Sequence, residues 1–496
     1  MGAFLYFQSR EDLPGGLGDP LDVMRTFHQR STDCMLTSNY AYEPNHHTLQ
    51  ALLINIRAEF MRMPENYFGI WVLSGVVGRL AIRMGYHREP ANFAQISPFQ
   101  GEMRRRTWAL ICQLESLTCC HLGLPSFIQE NHCDTQLPNN YLDEDIDPDN
   151  VELPQPRPGT EQTPVLYTIT KGRIVSVFRT ICDQTLSVQV TPYDQIIALD
   201  ERLRGAIQAI PPCFRLDNLQ DCLTVPPYLL VRRYNMELLS QKARCILHRH
   251  YMTVGYRDPK YAYSRSSCVA GALSLLRNQA EIFEEVQTGG RLVREKWFIS
   301  SLDIHDYLLA SMIACLELSF RSHPPGGLNA SEPLQGSQKD LIDALLRSCQ
   351  FWEGFHTTSP EIRRASAVMS AMIAKVLGSS AKSSHKPSAM PMGIPIHSDL
   401  DQQVHPQSTS KSPIPRTKYQ PESSTRSNMI FADSFAGSTA EDNSPSASSR
   451  EQSSVMQTNS DNDLGNIEEM LTDPNMVDWV RSNGPRHSLK LIISAR

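Results

Sequence analysis

The amino-acid sequence predicts an all-α domain that is followed by a disordered, serine-rich tail. As far as Leu377, apolar residues recur at three- and four-residue spacing and strand signals are weak. Beyond Leu377 the composition shifts to serine, proline, glutamine and asparagine, which cannot bury enough apolar surface to offset the entropy of ordering. The segments predicted as helices by their periodicity are Leu49–Met61, Phe68–Gly85, Pro227–Tyr251, Cys268–Val286, Asp303–Phe320 and Asp340–Phe355.

Composition and charge exclude several classes of protein. The chain has 496 residues and a formal net charge of −6, so no overall positive field would draw it to a phosphate backbone. The uncharged, apolar run Asn66–Gly78 is shorter than the roughly 20 residues that a membrane-spanning helix needs. The 12 cysteines include no C-x-x-C pair, which favours reduced thiols over a disulfide framework or a zinc knuckle.

One further helix is predicted by its end signals, in the stretch SPFQGEMRRRTWALICQLES. It begins at Ser97–Gln100 with a serine N-cap, a proline at the first helical position and a glutamine that completes a capping box. We expect it to run to about His121, where Gly123–Pro125 ends it. Its apolar residues are expected to form one stripe, made of Met103, Thr107, Leu110, Ile111, Leu114, Leu117 and Thr118.

Three consecutive arginines, Arg104, Arg105 and Arg106, lie in this helix. Successive helical residues turn by about 100°, so the three side chains fan around more than half of the circumference. They cannot all face one phosphate strand. We therefore expect their guanidinium groups to bind acids and carbonyl groups of neighbouring elements rather than nucleic acid.

Three stretches follow one another in the chain: GRLAIRMGYHREP (Gly78–Pro90), the arginine helix itself, and HLGLPSFIQENHCDTQLPNNYLDEDI (His121–Ile146). In this order they resemble the regulatory middle domain, of the xylanolytic-activator type, of fungal zinc-cluster transcription factors. Lys242–Tyr251 and Lys296–Leu318 look like the C-terminal half of that domain, so the resemblance covers residues 20–320. The residues that carry the motif are Gly85, His87, Arg88, Glu102, Arg104, Arg105, Arg106, Trp108, Gly123, Pro125, Leu137 and Pro138.

The resemblance implies an all-α, non-enzymatic regulator of transcription in the nucleus, able to pair with a second copy or with a related factor. Members of that family usually carry six cysteines in two C-x2-C-x6-C halves that bind two zinc ions and position a helix on DNA. Here only Cys34 precedes residue 112. We therefore predict no zinc or other cofactor for this chain, and DNA contact only indirectly or through a module that these residues lack.

The sequence divides into an N-terminal extension (1–19), the all-α domain (20–378), the serine-rich linker (379–459) and an acidic–hydrophobic segment (460–496). In the last, acids alternate with apolar residues, and no basic residue occurs between Ser460 and Val480. Such a composition keeps apolar side chains available for a partner's groove, which is typical of an activation segment that binds a coactivator. The residues expected to anchor it are Leu464, Ile467, Leu471 and Trp479.

A cluster of potential metal ligands lies across one turn. Cys119, Cys120, His121, His132 and Cys133 combine the two ligand types that zinc prefers. Adjacent cysteines point to different sides of a helix, and no pair has the spacing of a zinc knuckle. We expect buried thiols and surface histidines there, and no metal.

Two other hypotheses for the function stay open. The first is a magnesium-dependent enzyme, because Asp143, Glu144 and Asp147 look like the aspartate-rich magnesium motif of all-α terpene synthases. A calcium loop over Leu142–Asn150 is disfavoured, because Pro148 stands where such a loop needs glycine. GGLGDP (Gly15–Pro20) lacks the third glycine of a dinucleotide-binding loop, so it is not assigned as a cofactor site. No catalytic residue is assigned. The second alternative is a ligand-binding sensor, because all-α regulatory domains can enclose apolar pockets between helices.

Overall fold

The computed structural model describes residues 18–62, 67–149, 152–216, 225–298, 301–322, 338–355, 363, 366–367 and 369–374. These residues are mostly helical and contain no β-strand, which confirms the all-α prediction. The predicted linker and the predicted acidic segment with its four anchors lie outside the described residues.

Eleven α-helices have both ends within the described ranges, and further helical residues lie at 363, 366–367 and 369–374. The eleven helices are α1 (Pro20–Thr37), α2 (His46–Arg62), α3 (Tyr67–Arg83), α4 (Pro98–Leu122), α5 (Pro164–Thr185), α6 (Tyr193–Gln208), α7 (Pro227–His248), α8 (Tyr251–Arg257), α9 (Ala262–Glu285), α10 (Ser301–Ser322) and α11 (Gln338–Phe355). Short 3-10 helices lie at Pro90–Asn92, Glu130–His132, Asp143–Asp145, Pro212–Phe214, Pro259–Tyr261 and Val293–Phe298.

The helices predicted from periodicity are present, with ends that shift by a few residues. The prediction for Pro227–Tyr251 is wrong at its C-terminal end, because α7 stops at His248 and a separate helix begins at Tyr251. The helices α1, α5 and α6 lie outside the predicted segments.

A small apolar cluster holds the N-terminal helices together. It is formed by α2, α3 and α4 with the loop that follows α4. Trp108, Ile111 and Ile128 belong to it and are almost completely buried. The motif tryptophan is therefore a core residue of this cluster.

A larger apolar cluster includes residues of α5–α7 and α9–α11. Helix α9 packs against α7, α8, α10 and α11, so it lies at the centre of this part. The large aromatic side chains that are almost completely buried in this cluster are Phe178, Phe214, Tyr234, Tyr307, Phe351 and Trp352. Helix α4 packs against both α3 and α5 and so links the two clusters.

The arginine helix α4 begins and ends as predicted. Ser97 Oγ accepts a hydrogen bond from the backbone N–H of Gln100, and the Gln100 side chain accepts one from the N–H of Ser97, both at 3.3 Å. At the other end Gly123 adopts a left-handed conformation with φ 66°. Both capping signals are local, which is why the sequence alone located this helix.

The prediction of a single apolar stripe on α4 is wrong. Leu110 is 46 % exposed, whereas Glu102, Gln113 and Glu115 are buried. Because α4 is enclosed by α3, α5 and the following loop, even these three polar side chains are covered, and they make hydrogen bonds there. No helix in the described part of the chain is long and apolar enough to cross a membrane.

Candidate functional site

Arg104 and Arg105 bind back onto the segment that connects α3 to α4. Arg104 donates to the carbonyl oxygen of Met84 at 3.1 Å, and its guanidinium lies 4.7 Å from the centre of the Tyr86 ring. Arg105 forms a bidentate ion pair with Glu89, in which its Nε lies 3.1 Å from Oε1. Both cations are therefore engaged within the domain.

Arg106 binds the loop that follows α4. Its Nη1 lies 2.8 Å from Asp143, its Nε lies 3.3 Å from Glu102, and its Nη2 donates to the carbonyl of Tyr141. Each arginine of the triplet thus has an acid or a carbonyl partner within the domain. This arrangement leaves no row of free guanidinium groups for a nucleic-acid backbone.

Glu102 is a fully buried carboxylate that fixes the loop after α4. It accepts hydrogen bonds from the backbone N–H of Asn139 at 3.2 Å and from the Asn139 side chain at 3.2 Å, in addition to Arg106. Burial raises the pKa of Glu102, and the bonds from Asn139 and Arg106 offset only part of that rise. Pro138, the buried motif proline, immediately precedes Asn139.

Glu89 and Asp134 join the same loop to the end of α3. Glu89 accepts from the backbone N–H of Gln136 at 2.9 Å and of Ala91 at 3.3 Å. Burial alone would raise the pKa of Glu89, but these donors and Arg105 outweigh it, so its pKa is lowered. Asp134 receives two bonds from Arg88 at 3.1 Å and one from the N–H of Glu89 at 2.7 Å.

Glu115 secures the start of the loop. Its carboxylate is buried and accepts from Ser126 Oγ at 2.7 Å and from the backbone N–H of Phe127 at 3.0 Å, and Cys119 Sγ lies 3.2 Å away. Among these carboxylates, Glu102 alone carries a sequence prediction. The sequence analysis missed Glu89, Asp134 and Glu115. An acid in an apolar helix or beside a proline does not indicate which backbone N–H groups will donate hydrogen bonds to it.

The remaining motif residues lie around this network. Gly85 and Gly123 both have positive φ, at 77° and 66°, directly after α3 and α4. The half-buried ring of His87 lies 6.4 Å from that of Trp108, and burial lowers the pKa of this histidine. Pro125 is exposed on the turn after α4. Leu137 lies so close to Gly172 on α5 that a side chain at that glycine would collide with it.

A cleft of about 530 Å³ opens between α4, α5 and the loop 128–137. Its buried wall is apolar and includes Trp108, Ile128 and Val175. Burial raises the pKa of the Cys112 thiol in the wall to about 12. The full lining is Trp108, Ala109, Cys112, Gln113, Ile128, Glu130, Cys133, Thr135, Gln136, Leu137, Gly172, Arg173, Val175, Ser176, Arg179 and Arg202. The motif residues Trp108 and Leu137 line this cleft, but the motif did not indicate a cleft, since the other lining residues come from separate parts of the chain.

A buried ion pair connects α7 and α10. Lys242 Nζ lies 2.6 Å from Asp306, and both side chains are 7 % exposed. Burial lowers the pKa of Lys242, but the adjacent Asp306 carboxylate outweighs this effect, so the pKa of the lysine is raised and its ammonium stays charged. A small cavity beside the pair is lined by Cys120, His121 and Cys182 among others.

The possible metal ligands are dispersed over different contacts. Cys119 approaches Glu115, His121 packs on the Tyr67 ring at 3.9 Å, and His132 is exposed. Within the described residues, no three histidine, cysteine or acidic side chains are arranged to hold a metal ion.

The acids of the terpene-synthase-like pattern are on a loop. Asp143 and Glu144 are in a three-residue 3-10 turn, Asp147 follows it, and all three are exposed. Asp143 is paired with Arg106, and the neighbouring Asp145 is paired with Arg157 at 2.6 Å. The terpene-synthase motif requires its carboxylates to lie on one face of a helix, and these carboxylates do not.

Comparison with known proteins identifies the domain. Residues 26–199 match the family described as fungal specific transcription factor domain. The chain is 38 % identical over 376 residues to the Zn(2)-C6 fungal-type transcription factor pigI of Monascus ruber, a match that covers 76 % of this chain and 46 % of that protein.

Two further relatives give the same result. The Zn(2)-C6 fungal-type transcription factor mpsB of Macrophomina phaseolina (strain MS6) is 35 % identical over 72 % of this chain and 48 % of its own length. The pyrrolocin cluster transcription factor fsdR of a fungal species (strain NRRL 50135) is 32 % identical over 72 % and 46 %. The chain thus spans about half the length of the relatives that it matches. No solved structure matches it. The domain match and the named relatives together show that the chain belongs to the family of fungal transcription factors that carry this domain.

Proposed function

We propose that this protein regulates transcription in the nucleus, with the helical domain as its regulatory part and residues 460–496 as its activation segment. The observation that carries the proposal is the match of residues 26–199 to the fungal specific transcription factor domain, together with relatives that are named transcription factors. One relative is named for the pyrrolocin cluster, which supports a group of biosynthetic genes as the target.

The geometry of the domain favours a regulatory scaffold over a catalyst. The buried carboxylates of Glu89, Glu102 and Glu115 hold a loop through its backbone N–H groups, and the arginine triplet is engaged by internal partners. We therefore propose that DNA is reached through a segment or a partner other than these helices. A second copy of the chain, or a related factor that carries a zinc cluster, would supply that contact.

The activation segment is tested by a reporter assay. The chain of 496 residues is fused to an unrelated DNA-binding domain and placed upstream of a minimal promoter in a fungal host. We expect activation of the reporter, and a fall of about tenfold when Leu464, Ile467, Leu471 and Trp479 are all replaced by alanine, because these residues would fill the coactivator groove.

The linker provides a matched control. Met390, Met392, Ile394 and Ile396 are four apolar residues without the surrounding acids, and their replacement by alanine should leave the reporter unchanged. Equal losses in the two variants, at equal protein levels, would contradict the proposal, as would a fusion that never activates. Chromatin immunoprecipitation of the unfused chain, with and without a related zinc-cluster factor, tests the route to DNA.

A further inference from the structure

We propose that the cleft between α4 and α5 binds a small organic carboxylate with an apolar body. The inference rests on the shape, wall and charge of the cleft, and it does not depend on the role of the acidic segment. It assigns to the helical domain a ligand-binding site of defined chemistry.

The cleft has the size and position of a small-molecule site. Its volume of about 530 Å³ is within the range of about 300–1,000 Å³ that is typical of such sites. It lies between two helices that are both fixed by the buried network, since α4 carries Glu102 and Glu115 and α5 packs against α4. The walls are therefore held in place before a ligand arrives, which reduces the ordering cost of binding.

The inner wall provides apolar contact. Trp108, Ile128 and Val175 line the cleft and are each less than 5 % exposed, so the inner wall of the cleft is part of the packed apolar interior. A ring or a short alkyl chain that covers this wall would gain about 25 cal/mol for each Å² of apolar surface removed from water.

The charged groups of the cleft are predominantly cationic. Arg173, Arg179 and Arg202 line it, and Glu130 is the one carboxylate in its lining. Glu130 accepts from Arg179 at 3.3 Å and from Ser176 Oγ at 2.8 Å. Arg173 and Arg202 form no ion pair with any acid in the described ranges, which leaves two guanidinium groups available to one ligand.

A carboxylate attached to an apolar body matches this combination. Guanidinium groups pair with carboxylates in a bidentate geometry, and the apolar body would lie on the tryptophan side. A nucleic-acid strand fits less well, because the cations converge on one cleft instead of following a groove and the net charge of the chain is −6.

The test uses three carboxylates of different shape, octanoate, 3-phenylpropionate and 2-naphthoate, each with its neutral amide. Binding to the chain of 496 residues is measured by isothermal titration calorimetry at low ionic strength. We expect at least one acid to bind with a Kd below about 1 mM and its amide to bind about tenfold more weakly. The double variant Arg173→Ala/Arg202→Ala should weaken the acid by about tenfold and leave the amide unchanged.

The variants are chosen so that folding is preserved. Arg173 and Arg202 are exposed and make no ion pair with any acid that the structure describes. Arg30→Ala/Arg257→Ala removes two other exposed cations, which do not line the cleft, as a control. Acids that bind no better than their amides, or an affinity that is equal in both double variants, would overturn the proposal. A synthetic peptide of residues 460–480 is titrated in parallel. Peptide binding that is weakened in Arg173→Ala/Arg202→Ala, together with no binding of the three small carboxylates, would also overturn the proposal.

Discussion

At the scale of single residues, the domain depends on carboxylates that are buried next to backbone N–H groups. Glu89, Glu102 and Glu115 each capture part of the loop between α4 and α5 in this way. The pKa values of Glu89 and Glu102 shift in opposite directions, because donors outweigh burial at Glu89 and burial outweighs donors at Glu102. These two residues therefore make opposite contributions to the pH dependence of stability.

Replacing Glu89 by glutamine should destabilise the protein by about 2–4 kcal/mol. The change removes the bidentate partner of Arg105, whose guanidinium is largely buried, and weakens the bonds from Gln136 and Ala91. The free energy of unfolding is measured by urea denaturation at pH 7. Glu144→Gln, at an exposed position without an ion pair among the described residues, is the control and should stay within about 0.5 kcal/mol. A Glu89 variant as stable as this control would contradict the role of the buried pair.

Stability should fall as the pH decreases below about 4.5. Glu89 has an ordinary pKa of 4.5 and a lower one in the fold, so its contribution is complete above 4.5 and is lost as the pH falls through the folded value. The pKa of Asp134 is also lowered from its ordinary value of 3.8, so its contribution to stability is likewise lost as the pH falls. The pKa of Glu102 is raised, so its contribution to stability increases as the pH falls. Urea denaturation between pH 3 and pH 7 measures the slope, which should be shallower in Glu89→Gln. An unchanged slope in that variant would argue against a lowered pKa at Glu89.

At the scale of secondary-structure elements, the sequence predicts best where the signals are local. The caps of α4 are fixed by residues within one turn, so its ends were predicted correctly. The helix α1 has no buried residue, so it lacks the apolar stripe on which the prediction depended. The helix α5 is apolar around much of its surface and rich in β-branched residues, which obscures its period. In α6, by contrast, Ile196, Leu199 and Leu203 show a clear helical spacing that was missed.

The turn after α4 should be sensitive to its glycine. Gly123→Ala is expected to cost about 1–2 kcal/mol, because φ is 66° there and an alanine Cβ would meet the following carbonyl. Thermal and urea unfolding measure the loss. Gly159→Ala, where the backbone is ordinary and no heavy atom lies within 4 Å of the added Cβ, should change stability little. If the two alanine variants were equally stable, the left-handed cap would have no energetic role.

At the scale of the whole molecule, the arrangement of helices determines what the sequence could not show. The resemblance to the transcription factor domain predicted the family, and the periodicity predicted the helical class, because both signals depend on residues that are close together in the sequence. The cleft and the ion pair between Lys242 and Asp306 depend on which helices meet, and neither partner lies near the other in sequence. The partners of the arginine triplet were predicted in kind, as acids and carbonyls, but not by residue.

Lys242→Met should destabilise the protein by about 3–5 kcal/mol, because it leaves the Asp306 carboxylate buried without its ammonium partner. In the double variant Lys242→Met/Asp306→Leu both charges are absent, and most of the lost stability should return. Urea denaturation of the two variants measures the difference, and Lys339→Met, on the exposed side of α11, is the control. A double variant as unstable as the single one would show that packing, rather than an unpaired charge, dominates.

The larger apolar cluster determines where this protein can be divided. The family match ends at residue 199, within α6, yet Ile174, Phe178 and Leu199 are in the same core as Met369 and Ile373. A fragment trimmed to residues 26–199 would lose the helices that cover α5 and would expose a broad apolar face to water. We expect such a fragment to aggregate when it is expressed alone. The smallest independently folding piece should therefore extend through residue 374, nearly twice as far along the chain as the family match.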